Sequence, residues 1–530
     1  MTRRTPLSGA PSRSSPARGI PSAGGAARPA PARPASARGP RSGRAPAAAA
    51  AAAAKAVVGT STLAERLAMP LLWLLVLVTP LYIAPSAKDC FRLPKLLLAE
   101  WLALASLVPL AWALRRVETV RWRDLWRLPA VRAALPLAAV ATAGLATSVH
   151  PLHVREGLTD LWIGAACLVG WSAALPAARL ERLLGGLLWP AAAMAALGIL
   201  QFHGLRPLAV VGVHGAARLA ITSTAGNPGD LAAFLVLPCL FAQWRLARGA
   251  GAPRPAPGPL AAAGRAASGR GHRWGWLVAA LVLYAYALAV TQTVAALAAL
   301  ILGSVTLWAG ARYKEALGVR RLAAVAGVLA VLVAAAVAGV PALRARMVEK
   351  VSQARQGHWN VVLTGRLDGW RTALWMLGEH PWTGVGQGAY RAEFVPAKLA
   401  LLDRGVAFVS GEQQNFANAH DEALEVGADL GVPGLLALAW GLAVVVLAAR
   451  ARGAQAPRAA RGAHPVDGGD GRPQGGEPGG RADRAFAAAG LVAFGMLCLV
   501  DFPFRGALVA FPALLFLAWV LRPATAEAAA

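Results

Sequence analysis

The side chains best suited to chemistry lie between residues 364 and 435. His420 stands there beside Asp421 and Glu422. A neutral imidazole is a general base able to work near neutral pH. Asn418, followed three residues later by Asp421, reads as a capping box and predicts His420 in the first turn of a helix. There the helix dipole disfavours an imidazolium while Asp421 favours one, so no net shift in acidity is expected. The plainer reading of His420 is a polar loop residue making a capping contact. Upstream, Leu367, Trp370, Leu374 and Leu377 recur at helical spacing, with Gly378 and Pro381 as the stop. Arg366 and Arg371 on that helix are five residues apart, about 140° round its axis. They cannot grip one ligand by helical geometry alone. Arg366 is the candidate anion ligand, and Arg371, able to pair with Asp368 one turn back, plays a supporting part. Either could instead be an arginine on a solvated face.

A second polar segment runs from Arg218 to Asp230. Asn227 at the cap, Pro228 at the first helical position and Asp230 at the third make a good helix start. Free amides at that end, with Arg218 on the same aqueous side, suit a phosphate. Asn227 needs to be no more than a cap.

Elements able to position these groups follow from composition. Of the 530 residues, 57% are hydrophobic and only 15% charged, against about 25% charged in a soluble domain. A chain so apolar needs a bilayer as its solvent. The fold class expected is therefore all-α, a polytopic helical bundle. Twelve spans are read, near 68–85, 96–114, 131–148, 158–178, 183–203, 229–244, 275–291, 294–310, 322–343, 431–449, 485–501 and 506–521. Residues 1–62 form an Ala/Pro/Arg-rich basic tail that cannot bury a core. Residues 63–343 carry spans one to nine, 344–430 a large outer loop, and 431–522 spans ten to twelve with an unstructured inner loop at 451–484. A short tail, 523–530, follows. The outer loop is long and mixed in character, as functional loops are.

Arginine and lysine collect in the loops after the second, sixth, eighth and tenth spans, on the side of the basic tail, while the alternate loops are poor in them. That places both termini in the cytoplasm and the 344–430 loop outside. Trp122, Trp126, Trp244, Trp274 and Trp308 fall near span ends, as in an interfacial belt. The net charge of +27 sits in the tail and in short loops rather than on a patch interleaved with aromatics, so nucleic acid is not an expected partner. Cys90, Cys167, Cys239 and Cys498 are far apart, with no C-x-x-C, and indicate neither a zinc site nor a disulfide framework.

Taken together, certain segments resemble the O-antigen ligase and polymerase family. They are Arg218 with Gly226-Asn227-Pro228, then Arg366, Trp370 and Pro381 with Gly384, Gly386 and Gly388. His420 to Leu424 and Leu430 to Gly434 follow, with Asp89, Pro94, Lys95 and Asp501-Phe-Pro-Phe adding to the set. The resemblance runs over roughly residues 65–522. It implies a bacterial inner-membrane, multi-pass glycosyltransferase with its active site on the periplasmic face. Such an enzyme moves a saccharide from undecaprenyl diphosphate to an acceptor hydroxyl, without metal or other cofactor. The acceptor is lipid A–core in ligases and another carrier-linked polysaccharide unit in polymerases. By that resemblance His420 takes the acceptor's proton, and Arg218 and Arg366 neutralise the departing diphosphate. Asp421, Asn227 and Arg371 support them. Two departures stand out. The family's Ser-Arg turn between the seventh and eighth spans reads Thr291-Gln292-Thr293 here, and its His-Asn reads His420-Asp421. A transporter is the chief alternative of another class, but transporters place ionisable groups near the midplane, and here Glu100 is the main acid well inside a span. A non-catalytic assembly subunit would need neither His420 nor the arginines.

Overall fold

The computed structural model describes residues 62–115, 125–205, 221–250, 270–312, 338–409, 415–452, 478–501 and 503–522. All regular structure among them is helical. Nine helices precede the polar region: α1 (Thr62–Leu77), α2 (Arg92–Arg115), α3 (Pro129–Ala143), α4 (Pro151–Ala174), α5 (Ala177–Gly186), α6 (Leu188–Phe202), α7 (Pro228–Ala250), α8 (Arg270–Thr291) and α9 (Val294–Arg312). Then come α10 (Pro341–Arg355), α11 (Trp359–Val362), α12 (Arg366–Glu379) and α13 (Tyr390–Asp403), followed by α14 (Glu422–Ala451), α15 (Pro478–Cys498) and α16 (Ala507–Leu521). Helices α3, α4, α7, α10 and α15 each begin at a proline, where its missing N–H costs nothing and its φ is already helical.

Eight helical stretches among the described residues are long and apolar enough to cross a membrane, with Gly275–Thr291 and Ala507–Leu521 as shorter apolar helices. The expected span at 183–203 is one such stretch, Ala177–Phe202, made of α5 and α6 in succession. Most of the expected ninth span, 322–343, lies outside the described residues, as do the tails at 1–61 and 523–530 and most of the loop at 451–484. The tenth span differs from expectation. Its helix begins not at residue 431 but at Glu422, and Gly431 sits within it as a kink, with φ of 66°. Polar Glu422, Glu425 and Asp429 hide this first stretch from a hydropathy reading.

Polar contacts gather at the two ends of the bundle. At one end, Lys95 Nζ donates to the carbonyls of Tyr82 (2.5 Å) and Thr224 (2.6 Å), tying α1, α2 and the approach to α7. Ser148 Oγ there donates to Val385 O at 2.7 Å. At the other end, Arg179 pairs with Glu65, Arg248 with Glu181 at 3.0 Å, and Arg522 donates to Leu175 O. The core near that second end is aromatic. Trp244 is fully buried, stacked on Phe486 at 4.9 Å, with its indole N–H on Asp483. Trp244 is thus a core residue rather than a member of an interfacial belt, because a carboxylate inside the bundle satisfies its one donor.

Candidate functional site

The polar text of α14 builds the floor of the site. Asp421 is the N-cap, accepting from Leu424 N at 2.9 Å. The expected cap, Asn418, lies one turn too early. Its Nδ2 instead donates to Glu425 Oε1 at 3.0 Å, while Ala419 N donates to Glu425 Oε2 at 2.9 Å. His420 therefore precedes the helix, in the left-handed region at φ 59°. That conformation is costly for a non-glycine residue. The Glu425 carboxylate, 1% exposed, holds the two residues that lead into this turn.

Around His420, Nδ1 stands 3.9 Å from Asp501 Oδ1. The ring meets Phe416 edge-on at 5.8 Å, and its backbone carbonyl accepts from the Trp370 indole at 3.5 Å. Burial pushes its pKa down to about 4, and the guanidinium groups of Arg366 and Arg92 push the same way. The balance expected from dipole and Asp421 does not arise, because burial and two cations, rather than those neighbours, control the imidazole. Its neutral form prevails at neutral pH.

Asp501 and Arg505 line a cleft with Phe91, Arg92, Lys95 and Asp230. Arg505 Nη2 lies 2.8 Å from Glu425 Oε1 and 3.5 Å from Asp429 Oδ2. Asp429, fully buried, also accepts from Gly388 N at 2.6 Å and Tyr390 N at 3.0 Å. One guanidinium thus braces both the His420 turn and the Gly384–Tyr390 turn. Across the cleft Arg92 forks onto Asp230, with Nε to Oδ2 at 2.9 Å and Nη2 to Oδ1 at 3.1 Å. Asp230 is held in place from behind, since its own N–H donates to Asn227 Oδ1 at 2.8 Å.

The residues singled out from sequence divide clearly. Arg366 joins the site: its Nε donates to Val500 O at 2.6 Å, beside Asp501. Arg371 does not, and donates to Ala407 O at 2.7 Å. Its expected partner Asp368 is fully buried and accepts from Asn360 Nδ2 (2.5 Å) and Val409 N (3.1 Å). The apolar stripe read for α12 is likewise not its buried face. Asp368, Gly369, Thr372, Ala373 and Met376 face inward, while Leu374 is 54% exposed. Tyr390 lies against that face, hydrogen-bonded to Thr372 at 2.9 Å and donating to Gly369 O at 3.1 Å. Asn227 is the expected cap, next to the cleft rather than in it. Arg218 lies outside the described residues. Arg92 and Arg505 were missed, although each adjoins a quoted motif, Asp89…Lys95 and Asp501-Phe-Pro-Phe. Arg92 opens α2 and Arg505 closes a short turn before α16, end positions where no periodicity marks which side chain faces inward.

Fold and site together define a multi-pass, all-helical membrane protein with a cleft of paired charges at one end of its bundle. A family model described as O-antigen ligase matches residues 279–439. That stretch runs from α8 into α14 and contains Arg366, Arg371, His420 and Asp421. The match supports an O-antigen ligase family assignment for that stretch. No curated protein matches the chain.

Proposed function

We propose that this protein transfers a saccharide from an undecaprenyl-diphosphate carrier to an acceptor hydroxyl, lipid A–core in the ligase reading, at the periplasmic face of the inner membrane. The observation that carries the proposal is His420, held neutral beside Asp501 and within the fields of Arg92 and Arg366. What supports the outward placement of the site is charge: the ends of α2, α7, α9 and α14, after which the Arg-rich stretches of the sequence follow, lie at the opposite end of the bundle.

In this scheme His420 takes the acceptor's proton as its oxygen forms a bond to the anomeric carbon. The bond from that carbon to the diphosphate breaks, and the leaving group departs with the electron pair. Arg366 and Arg92 stand where that negative charge develops, as transition-state stabilisation requires. The two cations that weaken the imidazole as a base are those a diphosphate would offset. Donor binding therefore strengthens His420 at the moment it is needed, and Asp501 stabilises the imidazolium that results. Arg92 also bears on the absent family cation. Thr293 Oγ1 reaches Pro228 O at 3.4 Å, so the substituted turn meets the same helix end whose Asp230 holds Arg92.

The chain's own carboxylates give the transporter alternative some footing, because Glu100 hydrogen-bonds Asp160 inside two spans. The test is transfer by the purified protein in proteoliposomes, with lipid-linked donor and either lipid A–core or a second carrier-linked unit as acceptor. His420→Ala should lower the rate by roughly 10²–10⁴, the usual contribution of a general base, with insertion intact. A variant as fast as the parent removes His420 from the reaction. Turnover only with the second carrier-linked unit would make the protein a polymerase.

A further inference from the structure

Helix α10 lies outside the cleft, and the scheme above makes no use of it. Its inward face is narrow. Leu343 and Val340 pack on Ala289, close to the end of α8, together with Met347 and with Phe202, the last residue of α6. Lys350 Nζ donates to Val362 O, fastening the far half of the helix to α11. The outward face carries Arg344, Val348, Val351 and Arg355, spaced four, three and four residues apart and hence one stripe along the helix. All four are exposed, Val348 by 64% and Val351 by 48%. Trp359, 57% exposed, follows at once after the turn at Gly357.

Two further facts say what covers this stripe. α6 closes one of the apolar stretches able to cross a membrane, Ala177–Phe202, so a helix seated on Phe202 stands at the depth where hydrocarbon gives way to headgroups. Its charge is also one-sided: Arg344, Arg346, Lys350 and Arg355 against the single acid Glu349. Aliphatic side chains between guanidinium groups, with tryptophan close by, are the make-up of a segment resting in an anionic interface. The arginine stems lie along apolar surface while their heads reach phosphate.

We propose that α10 is an interfacial helix whose Arg344–Arg355 face rests against anionic phospholipid headgroups at the site end of the bundle. This holds whether or not His420 is a catalytic base. The experiment uses the full chain carrying Val351→Cys, labelled with an environment-sensitive fluorophore, with labelled parent protein as background for its own cysteines. Proteoliposomes are made of phosphatidylcholine alone or mixed with phosphatidylglycerol. Spin-labelled lipids that quench at headgroup depth, and aqueous iodide, report the surroundings. Headgroup quenching should rise at least twofold with phosphatidylglycerol, and Arg344→Gln with Arg355→Gln should abolish that rise. Strong iodide quenching in both compositions overturns the proposal, as does lipid quenching indifferent to phosphatidylglycerol. Shielding from both quenchers also overturns it and assigns the face to a macromolecular partner.

Discussion

The two ends of the bundle both gather arginine, yet they use it differently. At the end away from the cleft, Arg179, Arg248 and Arg522 tie helix termini together, and Arg452 lies over Trp519 at 3.9 Å while donating to its carbonyl. These cations hold helices that aromatic packing already aligns. At the site end, Arg505 binds two nearly inaccessible carboxylates, and those carboxylates in turn hold the turns at His420 and at Gly388–Tyr390. The lesson is that an abundance of arginine does not locate a site. What locates one is a cation facing a cleft whose counter-charges shape the surrounding backbone.

Substitutions can test that contrast. Arg505→Ala leaves Glu425 and Asp429 buried without their cation, a loss of about 3–5 kcal/mol for a broken buried pair. Thermal unfolding in detergent should show it, and transfer should fail as well; stability equal to the parent's would undo the contrast. Next in size, Glu425→Gln keeps shape but weakens the hold on the His420 turn, at roughly 1.5–3 kcal/mol for a hydrogen bond to a charged group. The expected mark is a lower kcat with little change in KM, whereas an effect on KM alone would deny Glu425 a positioning role.

The pH profile gives a third and smaller effect. Because His420 is depressed to about 4, the acid limb of kcat/KM should fall well below pH 6.5. Arg366→Gln removes one of the two depressing charges, so the limb should move to higher pH; a shift downward contradicts the assignment. The same depression makes His420 a source of acid lability. The unfolded chain binds this proton near pH 6.5 and the folded chain only near 4, so its contribution to stability is lost as pH falls across that window. Smallest of all, Arg248→Ala at the opposite end should cost less than Arg505→Ala, since Arg248 and its partners Glu181 and Asp483 all keep some contact with solvent. Transfer should persist in that variant.

Much of the scaffold was legible because hydropathy depends only on composition along the chain. The helix start at Pro228 and the cap at Asn227 were likewise written locally. What sequence concealed was long-range. The buried side of α12 is set by partners on α13 and near Val409, which no spacing within the helix reveals. The true start of α14 was obscured because Glu425 and Asp429 look like loop residues until Arg505, far along the chain, is brought to them. His420 and Arg366 were singled out from residue type and resemblance, whereas Arg92 is brought near them only through its contact with Asp230 on α7.

The kink in α14 has a mechanical consequence. Val432 N donates to Pro381 O at 2.7 Å, and a side-chain carbon placed on Gly384 would fall 2.2 Å from the Asp429 backbone. At Gly431 it would fall 2.5 Å from Pro381 O. The segment at 381–388 and the membrane helix thus interlock like a key seated in a shaft, with no clearance for swinging. Reactants must then travel to a stationary anvil, and turnover should be paced by their arrival and departure rather than by a hinged jaw.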